Sequence, residues 1–236
     1  MMQKVFDAKP KRSSQTVNAD TITAALSMAV HEHRIAPGSK LAEGELAEIY
    51  GVSRTVIRSA LQALAHAQLV EIKKNRGAFV AQPTLIEAHE VFEARELLEP
   101  RTARSAARLS RPDDIDRLKR HIENEHLAMD AGDQGLALSL SGQFHIEIAR
   151  IAGQATIQAF IETLIARSSL IIAIYWRRES ALCESHAHDA LIRAIEQNDC
   201  QQAEELMHSH LVDLHSALDL REKANVARSL REALIP

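Results

Sequence analysis

Aromatic residues are scarce in this chain, at 3% of 236 residues, and it has only 8 glycines and 6 prolines. β-Sandwiches and barrels draw on aromatic and β-branched strands joined by Gly- and Pro-rich turns, so this shortage argues against them. Cysteine is nearly absent. Cys183 and Cys200 stand apart, without metal-type spacing, which excludes a disulfide framework and points to a reducing compartment with two buried thiols. No apolar run reaches the roughly 20 residues that span a bilayer. The longest, "LIARSSLIIAIYW" (Leu164–Trp176), is broken by Arg167 and reads as a buried core helix. The opening "MMQKVFDAKPKRSSQ" has no apolar block of signal-peptide type, so a cytoplasmic protein with no membrane partner is expected.

What is present favours helices. Ala, Leu, Glu, Arg and Ile dominate, and 46% of residues are apolar, enough for a packed core in one large domain or two modest ones. Charge divides the chain. Residues 1–84 carry 11 Lys and Arg against 7 Asp and Glu, and the remainder carries 17 against 25. A basic amino-terminal part beside an acidic carboxy-terminal part fits a nucleic-acid reader joined to something else.

Residues 1–19 are polar, basic and aperiodic, as in a flexible tail. From Asp20, Ile22, Ala25, Leu26 and Val30 recur at helical spacing until "APGSK" (Ala36–Lys40) breaks the pattern. Leu41, Leu46, Ala47 and Tyr50 predict a short second helix, with Glu43 and Glu45 in its first turn and Gly51 ending it. Ser53 stands at the N-cap of a third helix. Ile57, Ala60, Leu61 and Leu64 form its apolar stripe, while Arg54, Thr55, Arg58 and Gln62 lie off the stripe. Two helices joined by a short glycine turn make a helix-turn-helix, whose second helix enters the major groove. There, arginine forks suit guanine edges or phosphates, and Thr55 suits a phosphate or a thymine methyl. "LVEIKKNRGAFVA" (Leu69–Ala81) then predicts a two-stranded wing, Val70 to Ile72 and Ala78 to Val80, with Lys73, Lys74, Arg76 and Gly77 about its tip.

Beyond a polar linker (82–85), residues 86–225 read as about six successive helices, punctuated by Pro112, Gly132 and Gly153, with Pro100 bending the first. A bundle of that size can enclose a central cavity. A tail or short helix (226–236) closes the chain. The fold class expected is thus mainly α: a winged helix-turn-helix over 20–81 and an all-α antiparallel bundle. His145, His188 and His210 each sit near apolar helical neighbours, on three different helices. Hydrogen-bonded core histidines would give the same pattern. Three imidazoles meeting inside a bundle would hold a zinc or nickel ion.

Residues Pro37–Val80, "PGSKLAEGELAEIYGVSRTVIRSALQALAHAQLVEIKKNRGAFV", resemble the winged helix-turn-helix of the GntR family of bacterial transcription regulators. The resemblance makes Arg54, Thr55, Arg58 and Gly77 DNA-contact candidates, with Ser53, Lys74 and Arg76 beside them. Val56 stands where the family usually has proline. Gly44 stands where the fatty-acid-responsive branch has a DNA-contacting arginine, so that contact is absent. "VFEARELLEPRTARSAA" (Val91–Ala107), Phe144-His145, His188 and "AEELMHSHL" (Ala203–Leu211) are similar to the FCD ligand-binding domain of FadR-type regulators. That likeness implies a divalent metal on three histidines and one Asp, with a small organic acid bound around it. His145, His188 and His210 fall on the histidine places, and Ser141 replaces the Asp. Arg95 falls on an arginine that faces the family's cavity, where it would clamp a carboxylate unless Glu99 pairs with it; Arg177 and Arg178 are further candidates. The function implied is a homodimeric, effector-responsive repressor of a pseudo-palindromic duplex operator. The alternative is a metal-dependent hydrolase built on the three histidines.

Overall fold

The structure is a computed structural model, and it describes residues 17–176 and 185–221. Arg177, Arg178, Cys183, most of the amino-terminal tail and the residues after Arg221 lie outside that range. The other cysteine, Cys200, is half-buried rather than fully enclosed.

Helix α1 (Ala19–His31) opens on Asn18, whose side chain accepts from the Thr21 amide while Thr21 Oγ1 accepts from the Asn18 amide. This reciprocal cap starts the helix just inside the segment read as tail. Ile22, Leu26 and Val30 are its buried stripe. Helix α2 spans Glu43–Tyr50 and α3 Arg54–His66. Gly51, at φ 64°, makes the left-handed turn between them. Strands β2 (Val70–Lys73) and β3 (Gly77–Val80) pair antiparallel, with Val70 opposite Val80 and Lys73 opposite Gly77. The wing gains a third strand that was not expected. β1 (Lys40–Leu41) pairs with β3, so Leu41 belongs to the sheet and not to the second helix. Ser53 does occupy the N-cap of α3, but its hydroxyl makes no capping bond.

Six helices follow: α4 (Leu85–Leu109), α5 (Pro112–Asp130), α6 (Gln134–Ile151), α7 (Ala155–Tyr175), α8 (Ser185–Glu196) and α9 (Cys200–Ser216). Thr84 and Glu87 cap α4 reciprocally. Pro100 does not end it. The proline lies buried, as do Glu99, Thr102 and Ala103, and the helix continues for two more turns. α4 runs against α6, α7 and α9, and the main core gathers Phe92, Ala103, Leu118, Phe144, Ile148, Ile171, Leu191 and Leu211. α7 is long and apolar enough to cross a membrane, yet it buries Ile161, Leu170 and Ile171 among protein neighbours.

The two halves share packing. Ala166 and Leu170 of α7 join the core of the winged helix, beside Ile22, Leu26 and Val30. The end of α1 lies against α6 and α7. At Gly135 a Cβ would fall 2.0 Å from the Glu32 carbonyl oxygen, so only glycine permits this backbone approach.

Candidate functional site

The edge expected to read DNA sits on a packed base. Ile57, Ala60, Leu61 and Leu64 anchor α3, which leaves Ser53, Arg54, Thr55 and Arg58 exposed on its opposite side. Arg58 is not a free fork. Its Nε and Nη2 donate to the Glu43 carboxylate at 3.2 and 2.8 Å, across from the first turn of α2. That bond lowers the Glu43 pKa and raises that of Arg58. Arg54 extends towards Gly44, where an added Cβ would stand 3.2 Å from its Nη2. The small residue at 44 therefore removes one arginine and makes room for another. In the wing, Lys74, Arg76 and Gly77 are exposed, and Lys73 and Arg76 stack over the Phe79 ring at 5.3 and 5.8 Å. All seven sequence-named contacts thus lie on exposed surface of α3 and the wing.

The three histidines meet inside the bundle. His145 of α6, His188 of α8 and His210 of α9 are buried, with ligand atoms all within 4.8 Å of one another. His210 Nε2 stands 3.2 Å from His145 Nε2 and 3.3 Å from His188 Nε2. Nitrogens tetrahedrally bound to zinc lie about 3.3 Å apart, so the spacing suits such an ion. Two carboxylates set the ring orientations. Glu99 accepts from His145 Nδ1 at 2.6 Å, and Glu125 from His188 Nδ1 at 3.3 Å. A proton held on Nδ1 leaves the Nε2 lone pair facing the centre. Burial pushes the His145 pKa down to about 3 against the pull of Glu99. Burial, then the neighbouring His188, carries that of His210 well below its usual value. A metal requires neutral imidazoles, and His145 and His210 are pushed towards that form; with the nitrogen spacing, the donor set fits a divalent ion.

Beside this cluster lies a cavity of about 40 Å³, lined by Arg95, Ser141, His145, Ser168, Ser169 and, from the other half of the chain, His31. Ser141 stands one helical turn before His145. Arg95 faces the cavity, but its fork is occupied: Nε and Nη2 bond Glu99 at 2.5 and 3.3 Å, and Nη1 bonds Ser168 Oγ at 3.1 Å. The clamp expected for a ligand carboxylate is closed on a protein carboxylate. Burial alone would raise the Glu99 pKa, but Arg95 and His145 outweigh it and hold it at about 2.

Glu125, Ser168 and His31 were missed by sequence reasoning, and Glu99 was seen only as a partner of Arg95. Glu125 had a visible signal. It continues the buried stripe Ile115, Leu118, Ile122 on α5, and a carboxylate on an apolar stripe asks for a partner. Neither Glu99 nor Glu125 serves as a base at the metal position. Both bond Nδ1, on the far side of the rings, so neither is placed as the general base that the hydrolase alternative needs.

Comparison with known proteins agrees with this geometry. Residues 18–80 match the gntR family of bacterial regulatory proteins, and residues 90–213 match the FCD domain. The chain is 29% identical over 213 residues to the galactonate operon transcriptional repressor of Escherichia coli K12, covering 79% of this chain and 90% of that protein. It is 28% identical over 195 residues to the Uxu operon regulator of Haemophilus influenzae, covering 74% and 71%. In fold it resembles E. coli McbR/YncC, with a TM-score of 0.75 at 18% identity over 84% of this chain and 95% of that one. The chain belongs to the GntR family of bacterial regulatory proteins, with an FCD domain as its helical half, and is a transcription regulator rather than an enzyme.

Proposed function

We propose that the protein is a homodimeric repressor in the bacterial cytoplasm whose grip on a pseudo-palindromic operator is released by a small hydroxy acid bound in the helical half. The observation that carries this is the cavity beside the histidine cluster, which His31 of the DNA-reading half also lines. Hydroxyl groups there (Ser141, Ser168 and Ser169), beside an Arg95 fork held by Glu99, suit an acid bearing hydroxyls. The galactonate repressor among the relatives supports a sugar acid as the class. A zinc or nickel ion on His145, His188 and His210 would supply a positive centre for the carboxylate. Glu99 and Glu125 hold the imidazoles in the ligating tautomer. Ser141, in place of an acid, leaves the seat more positive for an anion.

Dimerisation follows from exposed apolar side chains: Leu97 on α4 is 75% exposed and Phe160 on α7 is 59% exposed. Such exposed apolar side chains favour burial against a second copy. Two copies present two α3 helices to successive major grooves.

The experiment is selection of duplexes from a random pool by the full-length protein, followed by anisotropy titration. A two-fold symmetric sequence should emerge. Arg58→Ala should weaken its binding by about 1–3 kcal/mol. No enriched sequence, or unchanged affinity for Arg58→Ala, overturns the reading of duplex DNA by this edge.

A further inference from the structure

The cavity beside His145 is too small for the molecule it is proposed to take. It measures about 40 Å³. Small-molecule sites run to about 300 Å³ or more. A sugar acid can enter only if a wall moves. Most of the wall is the interior of one bundle: Arg95 of α4, Ser141 and His145 of α6, and Ser168 of α7, fixed by core packing and the Arg95–Glu99–His145 chain. The remaining part is different. His31 is the last residue of α1, from the DNA-reading half.

The end of α1 meets the bundle through the core that Val30 shares with Ala166 and Leu170 and through two hydrogen bonds. Ser169 Oγ donates to the His31 carbonyl at 3.4 Å, and His33 Nε2 donates to the Ser169 carbonyl at 3.1 Å. Opposite, Gly135 of α6 presses against the Glu32 carbonyl, backbone on backbone. α1 thus ends in a notch between α6 and α7, with the cavity behind it. α1 also packs against α3, so displacement of its end moves the DNA-reading helix.

We propose that the effector acts as a wedge: filling this cavity pushes His31 outward, and α1 carries the displacement to α3. This rests on the effector site proposed above and adds the contact by which the site reaches DNA. The ligand class follows from both ends of the cavity: an acid group for the Ser141 hydroxyl at the histidine end, where the Arg95 fork is held by Glu99 and Ser168, and a hydroxyl for the imidazole of His31. Binding energy spent on moving the wall is the differential affinity that couples the two sites.

The test needs no ligand. Ser139 of α6 lines the same cavity, on the bundle side and away from the DNA-reading surface. In full-length protein, Ser139→Trp should mimic the bound acid and weaken binding to the selected duplex about tenfold, within the usual range of allosteric coupling. In a His31→Ala background the same substitution should cost less than about twofold, because the wedge has nothing to push. If Ser139→Trp does not fold, Ser139→Leu carries the test, with a loss of about threefold expected in the His31 background alone. A folded wedge variant with wild-type affinity, or an equal loss in both backgrounds, overturns the inference. A wild-type protein that selects no duplex sinks this inference and the repressor reading together. Loss of D-galactonate binding in Ser141→Val, measured by calorimetry with zinc present, tests the effector site separately from the wedge.

Discussion

Glu99→Gln removes the charge at the centre of the buried chain that joins Arg95 to His145. Glu99 is buried, accepts two bonds from the Arg95 fork and one from His145 Nδ1, and joins α4 to α6. Glutamine keeps the shape and one acceptor but removes the charge, so the Arg95 guanidinium is left buried and uncompensated. Breaking one partner of a buried ion pair costs about 3–5 kcal/mol, and the retained acceptor places this case near the lower end. A second route gives the same size. The Glu99 pKa lies at about 2 instead of 4.5, a difference worth about 3 kcal/mol between its charged and neutral forms. Because the pKa is depressed, that stabilisation is complete above pH 4.5 and is lost as pH falls towards 2. Urea unfolding at pH 7.5, followed by circular dichroism, should therefore show Glu99→Gln less stable by about 3 kcal/mol. Zinc affinity should fall about 10- to 100-fold, because His145 loses the acceptor that orients it. The double variant Arg95→Met, Glu99→Leu should recover much of the stability, since apolar side chains replace a buried pair at little cost. A loss below about 1 kcal/mol for Glu99→Gln, or a double variant less stable than the single, would refute the argument.

Gly135→Ala places a methyl group against the Glu32 carbonyl oxygen, a backbone atom that can move only if the end of α1 moves with it. It should lower stability by about 1–3 kcal/mol and the melting temperature by several degrees, read by calorimetry, while a wild-type melting point would contradict the close packing of α1 on α6. Metal-free protein should also lose stability as pH falls below 6.5. The unfolded histidines then take protons, which buried His145 resists down to about 3 and His210 resists likewise. Each such group contributes a slope of up to about 1.4 kcal/mol per pH unit, so urea midpoints that stay level between pH 7 and 5 would be the contrary result.

The DNA-reading half was legible because its signals are local. Gly51, the apolar stripe Ile57, Ala60, Leu61, Leu64 and the turn at Asn75–Gly77 each fix their own neighbourhood. Strand β1 was not legible. Two residues show no alternation, and what makes Lys40 a strand residue is Phe79, far along the chain. The histidines were named through family likeness, because spacing alone fits buried core histidines equally well. The groups that set their chemistry come from elsewhere: Glu99 from α4 and Glu125 from α5 reach them only through tertiary packing. The seating of the two halves was hidden for the same reason. Leu170 lies in a run apolar on every side, and nothing in that run says it will join the core around Ile22 and Leu26.

The central claim is that occupancy of the cavity beside His145 governs the hold of α3 on duplex DNA. The direct measurement is the affinity of the zinc-loaded, full-length protein for its selected duplex, with and without saturating D-galactonate whose binding is monitored by calorimetry. The account predicts a loss of about tenfold or more when the acid is bound. Bound acid with unchanged duplex affinity would contradict it.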